Sequence, residues 1–187
     1  MSRAARHTAP RTPPGTPPRS LVLWLPDWPV VALTRDGDDP LDPAAPVAVL
    51  EKNTVLASSA AARAEGVRRG LRRRDAQARC PHLVVVEADP VRDHRAFAPL
   101  IAAVEDLAPG VQLIQPGLCA LHAKGPARYY GGEAAAATVL AGVVAGLGLD
   151  DVRVGVADGT FTAEQAARAG TSRADPVRIV PAGHAAE

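Results

Sequence analysis

The chain has 187 residues with 21 Lys+Arg against 20 Asp+Glu, so its formal net charge of +1 fits neither a uniformly basic nucleic-acid coat nor an acidic tail. Hydrophobic residues make up 47% and charged residues 22%, ordinary globular usage that excludes general disorder. No apolar run reaches the roughly 18 residues of a membrane span, and Met1–Ser20 lacks the apolar segment of a secretory signal.

Five prolines and four arginines in Met1–Ser20, with almost no large apolar side chains, predict a disordered tail over residues 1–20. Leu21–Leu25 is a continuous apolar run, predicted as a buried strand that Pro26-Asp27-Trp28-Pro29 ends, because proline cannot donate to a central ladder. Val30–Thr34 reads as a short helical turn and Arg35–Pro43 as an acidic turn. Val47–Leu50 and Thr54–Ala57 follow as two short strands around the turn Glu51–Asn53.

Ser59–Glu65 predicts a helix capped by Ser58 or Ser59 and stopped by Gly66, and Asp75–Arg79 a second short helix ended by Pro81. Leu83–Glu87 reads as a strand. His94–Leu107 is the clearest amphipathic helix, with Phe97, Leu100, Ile101, Val104 and Leu107 on one face; Pro99 predicts that its regular part starts near Ala98. Val111–Ile114 and Leu118–Ala123 read as a hairpin around Pro116-Gly117, Glu133–Ala145 as an alanine-rich helix and Val152–Val156 as a strand. Phe161–Ala169 is a further helix and Val177–Val180 a last strand.

Apart from an insert over residues 27–88, this order is β-α-β-β-α-β, the split ferredoxin-like arrangement of an α/β (α+β) protein with helices expected on one face of the sheet. Residues 21–26 and 89–187 would form the main domain and residues 27–88 the insert.

Several stretches together resemble the palm and fingers of the Y-family (UmuC-like) translesion DNA polymerases. They are Ser59-Ala60-Ala61-Ala62-Arg63, Gly66-Val67-Arg68-Arg69-Gly70-Leu71, Cys80-Pro81, Pro116 to Gly125, and Gly155-Val156-Ala157-Asp158-Gly159-Thr160. The resemblance implies a ferredoxin-like palm with a small inserted fingers subdomain, and it covers Leu21 to the C-terminus. It also implies a two-metal site of converging carboxylates, since Mg²⁺ takes oxygen ligands.

The family's acidic positions fall here on Trp24, Pro26, Gly117 and Leu118, and no Asp or Glu lies between Asp106 and Glu133. The family tyrosine that meets the triphosphate is Ala60, its late lysine is Thr160, and its sugar-screening aromatic is Pro29; Arg63 is kept, and the resemblance implies that it can still meet a phosphate. The resemblance thus implies a lost Mg²⁺ site, no cofactor, no catalytic residue and a chain that is not an enzyme. Leu23-Trp24-Leu25-Pro26-Asp27-Trp28-Pro29 and Gly131-Gly132-Glu133 are closest to the inactive ImuB-like branch, adaptors among DNA, the sliding clamp and an error-prone polymerase. Relative to that branch the chain ends at Glu187, before a thumb.

Arg63, Arg68, Arg69, Arg72, Arg73, Arg74 and Arg79 put seven cations into 17 residues, against only Glu65 and Asp75. They read either as a phosphate-facing patch that binds DNA weakly and without sequence preference, or as a solvated face of an Arg-rich chain. Trp24 and Trp28 read as packing, with a partner anchor as the other reading of Trp28. His122 has no companion at metal-ligand spacing, and Cys80 and Cys119 form no C-x-x-C pair, so no metal site is expected.

The function expected is an inactive Y-family DNA polymerase-like protein of DNA repair, the SOS response and damage-induced mutagenesis. It would be cytoplasmic and free of membranes, with DNA and mutasome proteins (an error-prone polymerase, a sliding clamp, a RecA-like accessory protein) as partners. Two rivals are an active translesion nucleotidyltransferase using Asp27 and Asp158, and a nonfunctional structural fragment.

Overall fold

A computed structural model describes residues 17–35, 41–169 and 172–184. Most of the tail predicted over residues 1–20, and the centre of the acidic turn after Arg35, lie outside the described residues.

The larger sheet has the order β5-β6-β1-β7-β8, built from β1 (Arg19–Trp24), β5 (Gln112–Gln115), β6 (Leu118–His122), β7 (Arg153–Asp158) and β8 (Val177–Ile179). β1 sits at its centre, antiparallel to both β6 and β7, with Leu23 opposite Cys119 and Val154. With α4 (Pro90–Leu107) between β1 and β5, and α6 (Glu133–Gly146) between β6 and β7, its first four strands follow the expected split ferredoxin-like order. β8 extends the sheet by parallel pairing with β7.

The helices lie on both faces rather than one. Leu21, Leu23, Cys119, Leu121, Val154 and Val156 pack with Phe97, Leu100 and Val104 of α4 and Leu140 and Val144 of α6. Val22, Leu118, Ala120 and Ala157 on the opposite face pack against Ala163 of α7 (Thr160–Arg168). The cause is visible in β1: Leu21, Val22 and Leu23 are all fully buried, and a strand apolar on both faces needs cover on both.

α7 lies close to the sheet because Gly155 has no side chain. A Cβ at this position would stand 1.9 Å from the Ala163 carbonyl oxygen and 2.5 Å from the Ala167 nitrogen.

The smaller sheet has the order β3-β2-β4, from β2 (Val47–Glu51), β3 (Thr54–Ser58) and β4 (Val84–Glu87). β2 and β3 form the expected hairpin, whose turn residues Lys52 and Asn53 both take positive φ, while β4 runs parallel to β2. α2 (Ala60–Ala64), α3 (Arg73–Arg79) and the segments that follow them cover it through Ala62, Val67, Ala76, Cys80 and Leu83. Ser59 caps α2, its hydroxyl accepting from the Ala62 N–H at 3.2 Å, and Gly66 at φ +87° ends the turn that follows.

Two element starts and one additional helix depart furthest from the sequence reading. β1 starts at Arg19, because the Arg19 guanidinium is anchored by Glu133, by Asp158 at 3.3 Å and by the Val180 carbonyl at 2.8 Å. α4 starts at Pro90, where the Asp89 carboxylate accepts from the Val91 and Arg92 N–H groups and proline fills the first helical position. Pro99 lies inside this helix; the missing hydrogen bond is outweighed by burial of Phe97, Leu100 and Val104. A further helix, α5 (Lys124–Tyr130), occupies a stretch that has no apolar periodicity.

Candidate functional site

The two sheets meet at α1 (Trp28–Leu33), and a cleft of about 460 Å³ opens beside it. Trp24, Asp27, Gly117 and Arg168 border the cleft on one side, and Glu51 and Arg69 of the smaller-sheet region on the other.

Trp24 ends β1 opposite Leu118 and Arg153, with the Arg168 guanidinium 4.5 Å and the Arg153 guanidinium 5.4 Å from its ring centroid. This stacking of indole with two cations is a packing role for Trp24 that differs from simple core filling. Trp28 is 2% exposed, stands edge-on to Phe97 at 4.8 Å, and donates its indole N–H to the Asp93 carbonyl at 2.9 Å. It is a core residue, with no surface left for a partner. Gly117 takes φ +86°, and its carbonyl accepts from the Leu25 N–H at 2.8 Å. A Cβ there would fall 2.5 Å from the Trp28 Cβ, so a side chain at 117 displaces the core tryptophan.

Trp24, Pro26, Gly117 and Leu118 carry no carboxylate, and these four side chains do not fit a pair of divalent ions. The rival acids are also separated. The register sets Asp158 opposite Arg19 and Arg153 opposite Trp24, so five residues of strand, about 17 Å at 3.4 Å per residue, lie between Asp158 and the Trp24 end where Asp27 follows.

Asp27 stands in the left-handed region at φ 51° and accepts from the Arg63 guanidinium, which also donates to the Ser58 carbonyl. Arg63 therefore bridges the turn after β1 and the end of β3, and a phosphate would have to compete with a carboxylate for it. Asp158 is held below the usual carboxylate value by the Gly183 N–H, which donates at 2.6 Å, and by Arg19. Arg19 is raised in turn, chiefly by its hydrogen bonds to Glu133.

The other predicted arginines separate into groups. Arg72, Arg73 and Arg74 line an open cavity with Asn53 and Gln77 at the hairpin tip. Arg69 faces the central cleft, Arg68 donates to the Arg63 carbonyl, and Arg79 donates to the Gly66 carbonyl at 3.0 Å. Arg74 lies 3.5 Å from Asp75, whereas Arg69, Arg72 and Arg73 make no ion pair among the described residues.

Glu51 of β2 and Asp93 and His94 of α4 border the cleft without having been legible in the sequence, since only the packing of the two elements brings them together. The Asp93 carboxylate is taken up by Arg92 at 2.7 Å. His122 is exposed on β6, and Cys119 is buried, which pushes its thiol up to about 12.

Among curated proteins none matches the chain. Solved structures that share its fold include three of a Y-family polymerase. A Y-family DNA polymerase chimera of Dbh and Dpo4 matches with a TM-score of 0.66 at 14% identity, over 86% of this chain and 48% of that one. A Dbh ternary complex matches at 0.64 and 15%, over 88% and 48%. An insertion ternary complex of Dbh DNA polymerase matches at 0.66 and 13%, over 87% and 48%. The chain thus spans about half the length of the solved structures it resembles.

One expectation is corrected by these matches. A chain that is not an enzyme does not agree with solved neighbours that are DNA polymerases, and nothing in the fold positively shows that activity is lost. The model of the IMS, impB/mucB/samB, family matches residues 31–168, most of the chain and both of its sheets in large part, and the protein therefore belongs to that family.

Proposed function

We propose that the chain is a palm-and-fingers module that engages DNA, without sequence preference, in damage tolerance. In this reading residues 21–26 and 89–187 form the palm-like part and residues 27–88 the fingers-like part. Membership of the impB/mucB/samB family supports it, as does likeness in fold to ternary complexes of a Y-family polymerase. The observation that carries it is the cavity of Asn53, Arg72, Arg73 and Arg74, where two guanidinium groups have no carboxylate partner among the described residues. Guanidinium groups bind phosphate oxygens by charge and forked hydrogen bonds, and no aromatic side chain in the cavity stacks on or reads a base.

The reading extends to a role in the SOS response and mutagenesis, in the cytoplasm, alongside an error-prone polymerase, a sliding clamp or a RecA-like protein. It also holds that Trp24, Pro26, Gly117 and Leu118 bind no divalent ion. Among the described residues no helix is long and apolar enough to cross a membrane.

The test is fluorescence anisotropy of a labelled primer–template DNA against salt concentration. Three phosphate contacts predict a slope of log affinity on log salt near −2.7 from this patch. Changing Arg72, Arg73 and Arg74 together to Ala should weaken binding on every sequence alike and flatten the slope by about that amount. A slope unchanged in the triple variant would refute the assignment.

A further inference from the structure

We propose that Glu65, Cys80 and His82 form a binding site for a divalent ion of the zinc class at the C-terminal ends of α2 and α3. Among the described residues this is the one group in which three potential ligand atoms converge, all within 4.8 Å of one another. His82 Nε2 lies 3.0 Å from Glu65 Oε1. Around a tetrahedral zinc with bonds near 2.0–2.1 Å to nitrogen and oxygen and 2.3 Å to sulfur, ligand atoms stand about 3.3–3.6 Å apart. The side chains need only small adjustments to reach that spacing.

The donor set argues for the class of ion. A thiolate, an imidazole and a carboxylate suit zinc, whereas Mg²⁺ prefers oxygen alone. Three protein ligands leave a fourth position for water. Binding displaces the Cys80 thiol proton to solvent, while His82 uses the Nε2 lone pair and keeps its proton on Nδ1. The thiolate, the Glu65 carboxylate and the doubly charged ion then sum to zero, which lets Arg79 remain beside the site.

The fold holds these donors in place before any ion arrives. Glu65 caps the C-terminus of α2 and Cys80 that of α3, with His82 two residues on, in the turn before β4. Gly66 at φ +87° turns the chain back, and Arg79 donates to its carbonyl at 3.0 Å, tying the two turns together. Cys80 is buried against Ala62, Val67, Ala76 and Leu83, whereas the side chains of Glu65 and His82 are 35% and 66% exposed. The thiol forms the floor and the other two donors stand on the solvent side. An ion here staples the end of α2 to the end of α3, far along the chain from the palm positions of the family's acids.

The experiment is a zinc titration of the tag-free full chain after stripping with a chelator, followed by calorimetry and by thermal unfolding. Saturable binding of one ion per chain is expected, together with a melting temperature that rises with zinc. His82→Gln and Glu65→Gln change partly exposed side chains, so both should fold, and each should weaken binding at least tenfold and abolish most of the thermal shift. Cobalt supplies a spectroscopic readout, because its thiolate charge-transfer band should be present in the parent and in Glu65→Gln and absent in Cys80→Ser. No saturable one-to-one binding would overturn the proposal. So would binding that His82→Gln and Glu65→Gln both leave unchanged, since that would place the ion on other residues.

Discussion

Replacing Gly155 by Ala adds one methyl group where the structure has room for none. The new Cβ would lie 1.9 Å from the Ala163 carbonyl oxygen, 2.5 Å from the Ala167 nitrogen and 3.0 Å from the Ala163 carbonyl carbon, all backbone atoms of α7. An ordinary carbon–oxygen contact is about 3.3 Å or longer, so helix and strand must separate by roughly 1.4 Å along that line. No rotamer change can relieve it. Overpacking of this kind costs about 1–3 kcal/mol, and a backbone clash belongs at the upper end. Separation also loosens Val22, Ala157 and Ala163, and carries the Arg168 guanidinium away from the Trp24 ring.

At about 2–4 °C per kcal/mol for a chain of this size, a cost of about 3 kcal/mol lowers the melting temperature by roughly 6–12 °C. Circular dichroism during thermal unfolding measures it. Gly142→Ala is the matched control, because Gly142 lies in α6 with nothing within 4 Å of the added carbon. In a helix interior that exchange should stabilise by about 0.5–1 kcal/mol. A Gly155→Ala chain melting within 2 °C of the parent would refute the close seating of α7.

Gly117→Asp, which restores an acid at a family position, should cost at least about 2 kcal/mol, because its Cβ meets the buried Trp28 and φ is +86°; a melting temperature equal to the parent's would show that Trp28 yields freely. Asp158 has a folded-state value below its unfolded one, so its contribution is present above pH 4 or so and lost as the pH falls through the lowered value. The stability gap between the parent and Asp158→Asn should accordingly be widest near pH 6–7 and close toward pH 2, as followed by thermal melts across that range. A gap that stays constant down to pH 2 would remove Asp158 as a source of acid sensitivity.

How much of the site was legible depended on whether its parts are neighbours in the chain. Ser59 and Gly66 bound a helix through groups a few residues away, so cap and stop can be read from the letters. The Leu21–Leu25 run shows a buried strand for a similarly local reason, although its burial on both faces implies a second helical layer that the run alone does not locate. Pro99 misleads because proline's local cost is certain, while the packing of Phe97, Leu100 and Val104 that outweighs it comes from other elements. Arg63 likewise reads as a free cation until the turn after β1 brings Asp27 to it.

The composition, the β-α-β-β-α-β order of the main elements, and the absence of acids between Asp106 and Glu133 belong to the sequence, because each is read from the letters along the chain; α5, which has no apolar periodicity, is not. Tertiary structure alone decided that Glu65 meets Cys80 and His82 across two helix ends, that Arg19 and Asp158 join strands 139 positions apart, and that Gly155 lies under α7. Distances between such residues follow from strand register and helix packing, which depend on the whole core at once and not on spacing along the chain.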